Sequence, residues 1–169
     1  MGIRYYAYAY DPELVDRAVS HPREFIAPDP LADAWGLIPT EQEGVFSATF
    51  VQTAPYDRML YLDKAWRELQ VLTEPNPGDS PRPAYRMFEG QVTHTPWGWE
   101  PWCRAILPAE VAAISRDLHE LADPEPDFWR GWSAEVEEGE HRPPNFLGKA
   151  RDFVGGLAET GEGFVYMIG

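Results

Sequence analysis

The sequence is poor in cysteine, in positive charge and in long apolar runs, and each shortage removes a class of function. Cys103 is the single cysteine, so no disulfide can close within the chain. A lone thiol without a framework suits a reducing compartment. Lys and Arg number 14 against 28 Asp and Glu, a formal net charge of −14. Nucleic acid is therefore not an expected partner, because phosphate contacts demand a basic surface. No apolar run approaches the roughly 20 residues that span a bilayer, so no membrane segment is expected. Residues 1–10, with one Arg and alternating Tyr and Ala, lack the apolar block of a signal peptide. A cytoplasmic location is the expectation.

Signatures of chemistry are missing as well. The chain has no phosphate-binding loop, no G-x-S-x-G elbow, no dinucleotide fingerprint and no H-E-x-x-H. No pair among His21, His94, His119 and His141 has metal-ligand spacing, so neither metal nor cofactor is expected. Gly161 and Gly163 precede a strand, whereas a phosphate site needs a helix N-terminus after its glycines. They read as a turn. Cys103 would act as a nucleophile only with its pKa lowered, and it opens an apolar stretch, so it reads as a structural thiol. His119 falls off the apolar stripe of its helix, near the C-terminal end, and reads as a surface residue.

What is present is enough for one domain spanning 1–169. A chain of this length buries roughly two-thirds of the surface its unfolded form exposes. Its composition is 44% apolar, with seven Trp, eight Tyr and eight Phe. The fold class expected is α/β, with α+β left open: a mixed β-sheet carrying packed helices. Four segments are expected to share that sheet: Ile3 to Tyr10, Met59 to Leu62, Cys103 to Leu107, and the apolar, central run Phe164 to Ile168. Asp11-Pro12-Glu13 starts a helix to about Ser20, with Leu14, Val15, Ala18 and Val19 inward. Leu62, Ala65, Trp66, Leu69 and Leu72 form one buried stripe, with Asp63 as a candidate cap. Pro108 opens a helix with Val111, Ile114, Leu118 and Leu121 on one side. Asn145 caps a last helix with Phe146, Ala150, Phe153 and Leu157 inward.

Between these lie segments rich in Pro and Gly. Phe25 to Pro39 reads as loop with a turn of helix near Leu31 to Trp35, and Val45 to Gln52 as a strand or hairpin arm. Thr73 to Pro83, with four Pro, is a surface linker, and Tyr85 to Glu89 a helical turn ended by Gly90. Gln91 to Trp102 reads as irregular, because Pro96, Gly98 and Pro101 interrupt it. Asp127 to Val136 reads as a short helix with Trp129 and Trp132 on one face, and Glu135 to Glu140 as an acidic turn.

Leu60-Tyr61-Leu62-Asp63-Lys64-Ala65-Trp66 resembles the signature of the YfbM-like family, a bacterial family of unknown function. Three further pieces follow in the same order: an opening Met1-Gly2-Ile3, a strand–Pro–helix run from Ala105 to Val111, and a final helix and strand from Phe146 to Ile168. The resemblance implies a fold and carries no activity.

The candidate site is His94 with Trp97, Trp99, Glu100 and Trp102. Three indoles on a loop of Pro and Gly cannot all turn inward by periodicity. Aromatic faces beside a carboxylate suit a cationic or planar ligand. The competing reading is that the same indoles lid the sheet as outlying core. Two functions follow. The first is a protein-interaction domain, immunity-like, against a basic partner, marked by Glu135, Glu137, Glu138 and Glu140 on one face. The alternative is a small-molecule binder or enzyme with a pocket near Trp97 to Trp102.

Overall fold

A computed structural model of the protein describes residues 2–125, 128, 135–137, 140–142 and 145–169. Its elements in chain order are β1 (Tyr5–Tyr10), α1 (Val15–Ser20), α2 (Pro30–Trp35), β2 (Leu37–Pro39), β3 (Phe46–Ala48), β4 (Met59–Asp63) and α3 (Trp66–Thr73). They continue with β5 (Thr93–Thr95), β6 (Gly98–Glu100), β7 (Trp102–Ile106), α4 (Pro108–Glu120), β8 (Glu135–Glu137), β9 (Glu140–Arg142), α5 (Phe146–Thr160) and β10 (Gly163–Ile168). Short 3₁₀ turns at Pro12–Leu14, Pro22–Phe25 and Pro83–Met87 each begin at a proline whose missing N–H costs nothing there.

The four segments expected to pair do form one sheet, in the order β4-β1-β10-β7. Every pairing in it is antiparallel, so of the two forms left open the fold takes the α+β one. β10 is an inner strand with all six residues buried, which is why its sequence is continuously apolar instead of alternating. The sheet is covered on both sides. Tyr5, Ala7, Leu60, Leu62, Ile106, Phe164, Tyr166 and Ile168 share the larger cluster with residues of α3, α4 and α5. Tyr6, Tyr10, Met59, Val165 and Met167 face a smaller cluster with Ala18, Ile26 and Ala34 from the opposite cover. The alternation of β1 between two clusters follows directly from the period of a strand.

The stripes of α3, α4 and α5 lie as expected. Trp66, Leu69, Val111, Ile114, Leu118, Phe146, Ala150, Phe153 and Leu157 are all buried. Asn145 accepts from the Gly148 N–H at 2.8 Å and caps α5. Glu110 accepts the Leu107 N–H at 2.9 Å and closes the first turn of α4. Asp117 is the buried acid among the described residues. It accepts a forked pair from Arg82, at 2.7 and 3.0 Å, and the Ala84 N–H at 2.7 Å, tying α4 to the 83–87 turn.

Several expectations need correction. Asp63 does not cap α3: it ends β4 with φ +48 and pairs with Arg4 at 2.8 Å. α3 starts three residues later, without a side-chain cap. Leu14 and Val19 face solvent, because the entry to α1 is a 3₁₀ turn of three residues per turn, which shifts the phase of a 3.6-residue stripe. Leu37–Pro39 is a strand and pairs with Phe46–Ala48. Gln91 to Trp102 is mostly a hairpin, β5 with β6, because Pro96 sits in its turn and Pro101 after its end, where no ladder N–H is needed. The helix expected over Asp127 to Val136 falls mainly outside the described residues, as do Trp129 and Trp132; Glu135 and Val136 belong to β8.

Trp66 is 3% exposed. Trp66→Ala is expected to destabilise the protein by about 3–5 kcal/mol in urea unfolding; a loss under about 1 kcal/mol would mean that its indole contributes little to the core.

Burial pushes the Asp117 carboxyl up, but the bonds from Arg82 and Ala84 outweigh it and its pKa lies below the usual value. The unfolded chain therefore takes up this proton first as pH falls. The stabilisation is present above about pH 4 and lost as pH drops further, through the folded-state value. Asp117→Asn should be less stable than wild type at pH 7 and should lose less on going to pH 3, measured by urea unfolding at both pH values.

Candidate functional site: the tryptophan hairpin

The hairpin of β5 and β6 turns through Pro96 and Trp97, with Thr95 opposite Gly98. Gly98 has φ +141, a conformation that side chains resist, so glycine is required where the chain leaves the turn. Register decides which candidate residues meet. His94 lies opposite Trp99 and Thr93 opposite Glu100. Cross-strand partners share a face, so His94 and Trp99 stand side by side while Glu100 points to the other face. The carboxylate is thus not flanked by the two hairpin indoles. Trp97, at the tip, is 96% exposed, and Trp99 is 39% exposed.

Trp102 is placed differently. Pro101 ends the hairpin, and Trp102 begins β7, paired with Ile168. One edge of its indole rests on Gly90, where an added Cβ would collide with the ring. Gly90 also has φ +104, so the position demands glycine twice over. The Arg104 guanidinium lies 5.7 Å from the Trp102 ring centre and pairs with Glu89. Glu89 also binds Arg86 at 3.0 Å, and Arg86 binds Glu110 at 2.9 Å. Beneath them the Tyr166 hydroxyl donates to the Glu89 carbonyl at 2.8 Å. Burial pushes this hydroxyl up to about 12, with the nearby Trp102 and Arg104 side chains acting in the opposite sense. Trp102 is still 37% exposed. It is an anchored indole with one open side, whereas Trp97 is free.

His94 and Glu100 are exposed, so neither lines an enclosed cavity with the indoles. An open groove lies elsewhere, between α4 and α5, lined by Ser115, His119, Arg151, Asp152, Gly155 and Glu159. His119 is exposed, with Nδ1 2.7 Å from the Ser115 carbonyl oxygen. Cys103 is half-buried on β7, its thiol pushed up by burial and drawn down by Arg23 beside it. Among the described residues no three His, Cys, Asp or Glu come together as metal ligands. No helix there is long and apolar enough to cross a membrane. Of the acidic set, Glu135, Glu137 and Glu140 lie on the paired strands β8 and β9, and Glu138 lies outside the described residues.

The sequence offered no candidate in the stretch that precedes β4. There Ile38, Val45, Phe46, Phe50, Val51 and Tyr56 are all exposed. A signal was available, because no Lys, Arg or His lies between Arg23 and Arg58.

No family model and no curated protein matches the chain. A solved structure of similar fold is that of a protein of unknown function, YfbM from Escherichia coli. The likeness covers 99% of this chain and 100% of that one, at a TM-score of 0.46 and 16% identity.

Trp97→Ala is expected to change stability by less than about 0.5 kcal/mol, the usual range for a surface site, since almost no apolar area leaves water there on folding. Trp102→Ala should cost about 1–3 kcal/mol, because its buried side and its seat on Gly90 are lost. Urea unfolding of the two single variants checks the contrast; equal costs would show that the two indoles are held alike.

Proposed function

We propose that the protein is a YfbM-like interaction domain that captures a basic protein, in the manner of an immunity protein that masks a toxin, and that it works in the cytoplasm. The observation that supports this reading most is Trp97. An indole 96% exposed at the tip of a hairpin contributes nothing to the core of its own chain. Tryptophan is the residue most often found as an energetic anchor of protein interfaces, where a partner's pocket removes the ring from water. Trp99 and the open side of Trp102 extend the same surface. The net charge of −14 supports a basic partner, because opposite charge speeds encounter and disfavours anionic competitors such as nucleic acid. The order of motifs from Leu60–Trp66 through Ala105–Val111 to Phe146–Ile168 supports the family part of the proposal. Binding is favoured over catalysis, because His94 and Glu100 occupy opposite faces of an exposed hairpin and cannot act on one bound molecule together.

Affinity capture from cells that make the protein tests this, with wild type and Trp97→Ala as parallel baits. A basic protein retained at least tenfold better by the wild type is expected, since hot-spot truncations cost about 2 kcal/mol or more. The same set of proteins on both baits, or none of basic charge, overturns the proposal.

A further inference from the structure

Between Arg23 and Arg58 the chain carries Glu24, Asp29, Asp33, Glu41, Glu43 and Asp57, and no Lys, Arg or His. The same excursion holds half of the large apolar residues that lie exposed among the described ones. It folds around Gly36, whose φ of +57 ends α2. The Phe50 N–H donates to the Trp35 carbonyl at 2.9 Å, and the Thr53 N–H to the Asp33 carbonyl at 2.8 Å. The β2–β3 ribbon projects beyond this knot, with Pro39 opposite Phe46 on one face and Ile38 and Val45 on the other.

An isolated two-stranded ribbon is marginal in water, and this one keeps apolar side chains on both faces. Phe50 is doubly costly. It is 72% exposed, and it is held at φ +56, a conformation that bulky side chains adopt only against strain. Its N–H bonds the Trp35 carbonyl and its ring meets that of Trp35 at 5.4 Å, yet most of the side chain stays in water. Surfaces of this kind, apolar and rimmed by charge, mark contact sites.

We infer that the α2–β4 excursion is a docking surface for a cationic, apolar stretch of the partner protein. This rests on the proposed binding of a basic protein and names where and by what chemistry the partner is held. The charge selects the occupant. A second copy of this chain would set acid against acid, and an anionic membrane would be repelled in the same way. Lys or Arg side chains alternating with apolar ones match both the acids and the exposed rings.

The excursion and the tryptophan hairpin also meet the same end of the sheet. Trp35 lies under the Arg4 guanidinium, 5.1 Å from its ring centre. Arg4 exchanges both backbone bonds with Gly169, and Trp102 pairs with Ile168 next to it. The two elements approach it from opposite faces: Trp35 packs with the smaller cluster, and Trp102 shares the face of Ile168 in the larger one.

The test uses a fluorescent 14-residue peptide of alternating Lys and Leu carrying a photo-crosslinker, with a Glu–Leu peptide as its counterpart. Wild type should bind the Lys–Leu peptide saturably and form adducts within residues 37–56. The double variant Glu41→Lys/Glu43→Lys, both positions exposed, and the separate variant Phe46→Ser should each weaken binding at least tenfold with unchanged thermal melts. If both variants bind as wild type while Trp97→Ala does not, this inference is overturned and the proposed function stands. If wild type fails to bind, or binds the Glu–Leu peptide equally well, both are overturned.

Discussion

Two stacked tyrosines hold the structure together at the point where core and surface meet. Tyr5 and Tyr166, on neighbouring strands, stack with ring centres 5.4 Å apart and are fully buried. A buried hydroxyl must find a partner or forfeit its solvation. The Tyr5 hydroxyl donates to the Met87 carbonyl at 2.9 Å and the Tyr166 hydroxyl to that of Glu89. Gln70, from α3, donates to the carbonyls of Phe88 and Gly90. The segment that leaves the 83–87 turn is thus fixed carbonyl by carbonyl from below. Gly90 is consequently held still, Trp102 has a fixed seat, and the hairpin that ends at Pro101 is launched in one direction.

The two covers of the sheet differ in kind. On one side α4 and α5, with 13 and 15 residues, pack long apolar stripes. On the other, α1 and α2 have six residues each and the chain between α2 and β4 is ribbon and turn. The thin side carries much of the polar strand chemistry: the Tyr8 hydroxyl donates to Asp33 at 2.9 Å and the Trp35 indole N–H to the Tyr61 hydroxyl at 3.1 Å. Burial raises Tyr6 to about 12, with Arg4, Asp63 and Asp29 as its charged neighbours. Stability concentrated under the long helices leaves the opposite cover free to display apolar groups that the core does not need.

Much of the fold was legible in the residues. The stripes through Trp66, Ile114 and Phe153 repeat at helical spacing, and burial of such a stripe requires no knowledge of its neighbour. The continuous apolar run at Phe164 to Ile168 marked a strand covered on both faces, which it is. Asp63 misled because an Asp before a helical stripe has the form of a cap, while Arg4, distant in sequence, captures its carboxylate. Leu37–Pro39 was hidden because three residues in a loop of Pro and Gly show no period, and only their pairing with Phe46–Ala48 marks a strand. Of the site, the exposed indoles were legible from the prolines and glycine around them. Their division into a free Trp97 and an anchored Trp102 was not, because it depends on Gly90 lying beneath one ring.

By itself, the sequence determined local periodicity, where prolines and glycines interrupt it, and the balance of charge. From these came the strands and helices, the absence of a disulfide within the chain, and an excess of acidic over basic residues. These are properties of a residue and its near neighbours, and they survive without a fold. Tertiary structure decided everything that depends on pairing: that the sheet is antiparallel throughout, that His94 meets Trp99 and not Glu100, and that two exposed apolar elements reach one end of the same sheet. A one-residue change of register would exchange every such neighbour without altering any local preference, which is why only long-range packing could choose among them.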